Sequence, residues 1–211
     1  MKRFVTFFAN LFPTSVIVGF LIPLLLISVP LNVLSAVAQT KASQTDPRVA
    51  EFLATINRSV VALAGKSEAE AGRICGQIVS SALSIDALAR SAGSGIWDRM
   101  SQRQRTAYHG AVERRAIRDC VSQNRDNDGQ PLAFVGVRQG EGGDRLLATR
   151  SNAANQVHTV IWRLRGDGRR LRAVDILFNG RSATLTFRDE TNTLLERHNE
   201  DIDAVIEAFR R

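Results

Sequence analysis

A predicted β-strand lies directly before a predicted α-helix in residues 171–187. One face of the strand carries three hydrophobic side chains, those of Val174, Ile176 and Phe178. Gly180 ends the extended pattern, because glycine turns the chain sharply at no steric cost. Ser182 is a candidate N-cap for the helix that follows. The stretch therefore predicts a rigid corner between a sheet and a helix, with structural roles for Asp175, Gly180 and Ser182.

Hydrophobic residues at helical spacing fill the first part of the chain. Asp46 is a candidate N-cap with proline at the first helical position after it. Capping-box patterns at Ser67 and Ser101 predict two further helix starts, and the second of these helices runs to about residue 123. A shorter helix is expected between them, over residues 87–92. Each hydrophobic stripe has two interpretations, a packed core or a groove that holds a hydrophobic ligand.

Strand patterns follow a polar loop at residues 124–130. Alternating hydrophobic and polar residues predict four strands, and two helices then complete the chain. Helices followed by a run of strands indicate an α+β fold, in which helices cover one face of a curved antiparallel sheet. A concave sheet of this kind leaves an apolar cavity between the two layers, where a hydrophobic ligand would bind.

The first 38 residues have the three parts of a secretory signal. Lys2 and Arg3 precede an apolar run at residues 16–29, and residues 36–38 form an Ala-Val-Ala cleavage site. Cleavage after residue 38 would leave a polar tether at residues 39–45 and a single domain at residues 46–211. The alternative is an uncleaved membrane anchor, because no charged residue occurs between Arg3 and Lys41 and this uncharged stretch is long enough to span a bilayer. Either arrangement places the domain beyond the inner membrane.

The chain has a formal net charge of +7. Without Lys2 and Arg3, 26 of the 28 basic residues remain against 21 acidic ones, which leaves +5. The arginines are spread along the chain and are not interleaved with aromatic residues, so the sequence does not favour nucleic acid as a partner. A solvated surface explains the excess best, and attraction to anionic lipid headgroups is the next interpretation.

Cys75 and Cys120 lie on two different predicted helices of a chain with an export signal. A pair of cysteines in an oxidising compartment favours a disulfide. The alternative is two buried thiols that act as small hydrophobic side chains.

No set of residues with recognisable catalytic or metal-binding spacing is present. The three histidines, His109, His158 and His198, lack metal-ligand spacing, and the chain has neither a nucleophile elbow nor a phosphate-binding loop. Asp175 could serve as an acid in an apolar pocket, yet no partner for acid–base chemistry can be assembled beside it. We therefore expect neither an enzyme nor a bound metal or cofactor.

Several short motifs follow one another along the chain, at residues 86–89 with 95–97, residues 101–108, residues 174–176 with 179–182, residues 187–188 and residues 201–206. Their order resembles that of the MlaC-like, or toluene-tolerance, family of auxiliary proteins of ABC transporters. The chain resembles this family over residues 46–209. Three positions depart from the family pattern: Leu171 stands where tryptophan is common, Arg181 where an apolar residue is usual, and Thr191 where phenylalanine is common.

The resemblance implies a periplasmic carrier with a cone-shaped fold like that of the nuclear transport factors. It would shuttle phospholipid between an inner-membrane ABC transporter complex and an outer-membrane lipoprotein complex, in a system that maintains the lipid asymmetry of the outer membrane. A variant associated with hopanoids or another lipid, and a ligand-free adaptor tethered to the membrane, remain as alternatives. The candidate lipid contacts, each of which could equally be core, are Trp97, Tyr108, Val112, Val160, Trp162, Val174, Ile176 and Phe178.

Overall fold

The computed structural model describes residues 46–124, 128–153, 156–167 and 169–210. The predicted signal peptide at 1–38 and tether at 39–45 lie outside these ranges. Within the described ranges, no helix is both long enough and apolar enough to cross a membrane.

The described ranges contain six α-helices, and all but the third begin at a residue whose side chain caps the helix. They are α1 (Pro47–Leu63), α2 (Glu68–Ala82), α3 (Ile85–Ala92), α4 (Gln102–Asn124), α5 (Ala183–Arg197) and α6 (Ile202–Arg210). Asp46 accepts a hydrogen bond from the backbone nitrogen of Arg48 at 3.0 Å, and the Ser67 hydroxyl caps α2 in a full capping box. The predicted starts of α1, α2 and α4 are confirmed. The helix α3 begins two residues earlier than predicted.

A five-stranded sheet follows α4. Its strands are β1 (Ala133–Gln139), β2 (Arg145–Ala153), β3 (Gln156–Asp167), β4 (Arg170–Phe178) and β5 (Arg181–Ser182). The strands lie in sequence order and every neighbouring pair is antiparallel. The α+β class and the antiparallel meander are therefore confirmed. The two-residue strand β5 was not predicted, since two residues carry no periodicity.

A β-bulge interrupts the pairing of β3 with β4. Arg163 lies opposite Asp175 and Leu164 lies opposite Ala173, so Val174 has no residue directly across from it. Val174 is buried at 8% exposure but does not belong to the main hydrophobic core. The regular alternation predicted for β4 therefore holds only after the bulge, from Asp175 onward.

The polar groups of two buried aromatic residues, Trp162 and Tyr108, are paired inside the core. The Trp162 indole nitrogen donates to the Thr149 hydroxyl at 3.1 Å, and this hydroxyl donates to the backbone oxygen of Val160 at 3.1 Å. In the same way the Thr191 hydroxyl donates to the backbone oxygen of Phe187 at 2.8 Å. It therefore accepts the hydrogen bond that joins it to the Tyr108 hydroxyl at 2.8 Å. These pairs remove the cost of burying the two aromatic polar groups.

A buried carboxylate joins the start of β2 to β3. Asp144 is fully buried, and it accepts hydrogen bonds from Arg165 at 2.8 and 3.0 Å and from Arg163 at 2.6 Å. These contacts lower the pKa of Asp144 in spite of its burial. The side chain of Arg165 is therefore bound to Asp144 within the fold.

A disulfide between Cys75 and Cys120 joins α2 to α4, with the two Cα atoms 5.9 Å apart. The two cysteines are 45 residues apart in sequence, so the bond closes a long loop in the unfolded chain. In the chain-entropy model such a loop stabilises the folded state by about 4 kcal/mol.

We expect reduction of this bond to lower the free energy of unfolding by about 2–4 kcal/mol, because the reduced unfolded chain regains its conformational freedom. Denaturant titrations of the oxidised and reduced wild-type protein measure the difference without changing the sequence. A Cys75→Ala/Cys120→Ala variant with equal stability with and without reductant is the control. Two free thiols in denatured, unreduced protein would contradict the bond.

Candidate functional site

A cavity of about 360 Å³ lies between the helices and the concave face of the sheet. This volume falls within the range of roughly 300–1,000 Å³ that is usual for small-molecule sites. Its lining is mostly hydrophobic. The lining residues with apolar side chains include Ile56, Val60, Ile78, Val79, Leu83, Leu88, Ala116, Leu132, Val160, Trp162, Ile176, Phe178 and Phe187. A lining of this kind suits an apolar ligand and offers little to a polar substrate.

Strand pairing determines which side chains form the floor of the cavity. Val160 lies opposite Phe178, and Trp162 lies opposite Ile176, so these four side chains share the face of the sheet that the helices cover. The Trp162 ring is fixed from two sides, by its hydrogen bond to Thr149 and by an edge contact with the Phe52 ring at a centroid distance of 5.5 Å. Contacts with β2 and with α1 therefore hold this part of the cavity floor in place.

Of the eight residues proposed as lipid contacts, these four line the cavity. The other four, Trp97, Tyr108, Val112 and Val174, lie elsewhere among the described residues. Tyr108 and Val112 are fully buried, and the Tyr108 ring packs against Phe209 of α6 at 5.7 Å. The Trp97 ring lies below the guanidinium groups of Arg90 and Arg105, at 5.0 and 5.7 Å.

The helix α4 explains why the sequence did not separate core from cavity. Its first half packs Tyr108 into the core, whereas its second half brings Ala116 and Cys120 to the cavity wall. Both halves belong to one hydrophobic stripe with the same residue types. Contacts with Phe209 of α6 and with Thr191 of α5 place Tyr108 in the core.

The corner after β4 is held by the Asp175 carboxylate. This group accepts hydrogen bonds from the Ser182 hydroxyl at 2.7 Å, from the backbone nitrogen of Ile176 at 2.9 Å and from that of Thr184 at 3.1 Å. The Ser182 hydroxyl in turn accepts from the backbone nitrogen of Leu185 at 3.1 Å, which caps α5. Asp175 thus contacts both sides of the corner and is occupied by structural bonds.

Polar side chains also line part of the cavity. They are Asp119, Gln123, Asn124, Ser151, Arg181 and Thr186. Asp119 accepts a hydrogen bond from Arg115 at 3.0 Å, and Arg115 also binds Glu190 of α5 at 2.8 Å. This ion-pair chain ties α4 to α5 beside the cavity. The described residues contain no cluster of histidine, cysteine and acidic side chains that could hold a metal ion.

Comparison with known proteins places this architecture in a wider group. The sequence model of the family described as MlaC protein matches residues 36–211. The structure is similar to that of the phospholipid-binding protein from Ralstonia solanacearum, which was solved in complex with a phospholipid. The TM-score is 0.61 at 12% sequence identity, and the similarity covers 77% of this chain and 90% of the other. Among curated proteins, no sequence matches the chain.

The placement of Tyr108 gives a spectroscopic prediction, because it is the one tyrosine in the chain. Burial raises the pKa of Tyr108 from 10.0 to about 12, and the hydrogen bond with Thr191 offsets part of that effect. We expect tyrosinate absorbance to appear near pH 12 in the folded protein and near pH 10 in denaturant.

The same shift makes the folded state less stable between these pH values, since only the unfolded chain ionises its tyrosine there. Below about pH 10 the contribution of Tyr108 to stability is fully retained. Circular dichroism recorded at each pH identifies the folded range. Tyrosinate formation near pH 10 in protein that is still folded would show that Tyr108 is open to solvent or to the cavity.

Proposed function

This chain belongs to the MlaC family, and we propose that it is a periplasmic carrier that holds the acyl chains of a phospholipid in the cavity between its helices and its sheet. The observation that carries the proposal is the apolar lining of a cavity of about 360 Å³, whose floor is Val160, Trp162, Ile176 and Phe178. A phospholipid in the Ralstonia solanacearum protein of similar fold supports it.

The energy of acyl-chain burial suits a carrier. Each methylene group moved from water into an apolar site contributes roughly 0.8 kcal/mol, so a few buried methylenes hold a lipid firmly without specific polar contacts. A carrier must also release its cargo. Release requires a partner that favours an open form of the cavity over the closed one.

The family and the sequence support a proposal for the partners and the location of this carrier. We infer that the chain is exported by its N-terminal signal and exchanges lipid with an inner-membrane ABC transporter complex and an outer-membrane lipoprotein complex. Membership of the MlaC family supports the transporter, and the basic start, apolar run and Ala-Val-Ala site support export. A hopanoid or another lipid would occupy the same apolar cavity.

A carrier explains the site better than either rival class. A ligand-free adaptor would pack its two layers against each other, whereas here a cavity separates them. An enzyme would need an acid or base directed at the cavity. Asp175 is engaged in the corner, and Asp119, the acidic residue among the described lining residues, is paired with Arg115.

The test is lipid extraction from natively purified protein, followed by mass spectrometry, for wild type and two variants of α4. Ala116→Phe places a large ring into the cavity, and Ser122→Phe adds the same ring on the exposed side of the same helix. We expect stoichiometric phospholipid in wild type and in Ser122→Phe. Ala116→Phe should retain at most about one fifth of it, with stability changed by less than about 1 kcal/mol because the ring enters empty space.

Two results would contradict the proposal. Wild-type protein without stoichiometric lipid would remove the carrier function. A loss of roughly 1–3 kcal/mol of stability in Ala116→Phe, with lipid content unchanged, would indicate a filled core at this position, as in an adaptor.

A further inference from the structure

A row of paired residues crosses the sheet from the core to the edge of the cavity. Thr149 lies opposite Val160, Val160 opposite Phe178, and Phe178 opposite Arg181. Directly opposed residues share one face of a sheet, so the four side chains lie on the face that bears the cavity. Exposure rises along the row, from 0% at Thr149 and 6% at Val160 to a partly buried Phe178 and an exposed Arg181. Arg181 therefore marks the mouth, where the apolar lining meets solvent.

The turn before Arg181 holds its backbone in this position. Asn179 and Gly180 form a two-residue hairpin in which φ is 49° and 82°, the positive values that a type I′ turn needs. The Asn179 side chain accepts a hydrogen bond from the backbone nitrogen of Thr159 at 3.0 Å, and its own backbone nitrogen donates to the oxygen of Thr159 at 2.9 Å. On the other side of Arg181, Ser182 is bonded to Asp175. Arg181 is thus fixed from both neighbours.

The charge of Arg181 has no counterpart in the described part of the chain. Two charged residues line the cavity there, Asp119 and Arg181. The carboxylate of Asp119 is matched by Arg115, which also binds Glu190. Arg181 forms no hydrogen bond or ion pair through its side chain with any described residue. The guanidinium of Arg181 therefore lies at the mouth of an apolar cavity without an ion-pair partner among the described residues.

We propose that Arg181 binds the phosphate group of the lipid headgroup, so that the cavity selects lipids that carry a phosphate over those that do not. The inference rests on the carrier function proposed above and names the chemistry of its cargo. A guanidinium offers five donors in a planar fork that matches two phosphate oxygens. With acyl chains on Val160 and Phe178, the headgroup of the same lipid lies at the end of the row, beside Arg181. The neutral donors Gln123 and Ser151 line the same cavity.

The experiment measures which lipids the protein takes from vesicles. Vesicles contain equal amounts of phosphatidylglycerol, phosphatidylcholine and diacylglycerol with the same acyl chains, and the lipids bound to re-isolated protein are counted by mass spectrometry. Four proteins are compared: wild type, Arg181→Leu, Arg181→Lys and Arg138→Leu. Arg138 is the matched control, an exposed strand arginine of β1 outside the cavity lining.

We expect wild type and Arg138→Leu to prefer both phospholipids over diacylglycerol. In Arg181→Leu this preference falls about fivefold, since one charge-assisted contact is lost, and diacylglycerol makes up a larger share of the bound lipid while the total amount of bound lipid is unchanged. Arg181→Lys falls between the two because it keeps the charge and loses the fork. Unchanged thermal unfolding is expected for all variants, because Arg181 is exposed.

The outcomes separate the two proposals. An Arg181→Leu protein with the wild-type preference would overturn the role of Arg181, and so would wild-type protein that binds all three lipids equally. In both cases the carrier function would stand. Wild-type protein that takes up no lipid would overturn both proposals.

A parallel arm distinguishes the headgroup from free phosphate. Millimolar inorganic phosphate should leave phospholipid uptake by wild type unchanged, because inorganic phosphate has no acyl chain to bury. If inorganic phosphate binds tightly in an Arg181-dependent manner and blocks uptake, the site is one for free phosphate and the proposal is wrong.

Discussion

The Asp175 carboxylate holds the sheet to the helical layer at the point on which the site depends. It lies on β4 and receives hydrogen bonds from its own strand, from Ser182 and from the first residues of α5. These bonds fix the direction in which α5 leaves the sheet. Since α5 and the end of β4 both line the cavity, the carboxylate also sets the distance between the cavity floor and one of its walls. Asp175, which has the chemistry of a catalytic acid, therefore has a structural role.

Within each layer, satisfied polar contacts hold the elements together, and the cavity lies between the two layers. In the cavity floor, Trp162 is bound to Thr149, and away from the cavity Tyr108 is bound to Thr191. The disulfide of Cys120 and the ion pairs of Arg115 hold the second half of α4 to α2 and α5. These contacts keep the walls in place without filling the space between them. That arrangement allows a domain of this size to contain an apolar cavity and remain folded.

Local features of the sequence predicted most of the fold. The caps at Asp46, Ser67 and Ser182 act over a few residues, so they are readable without tertiary information. The cavity was predicted best where strand pairing decides the face, at Val160, Trp162, Ile176 and Phe178. The helical candidates do not line the cavity. Tyr108 packs against Phe209 of α6, which is distant in sequence, and Trp97 lies beneath two arginines of the neighbouring helices α3 and α4. Helical periodicity predicts neither contact. Thr191, a departure from the family pattern, is explained by the tyrosine it pairs with.

The chain contains two tryptophans, and only one of them, Trp162, lines the cavity. The most direct test of the central claim is fluorescence quenching by a phospholipid with brominated acyl chains. It compares Trp97→Phe, which retains Trp162, with Trp162→Phe, which retains Trp97. Acyl chains between helices and sheet will quench Trp162 and leave Trp97 unaffected. Quenching of Trp97 without quenching of Trp162 would show that the lipid lies elsewhere, and the account of this cavity would be wrong.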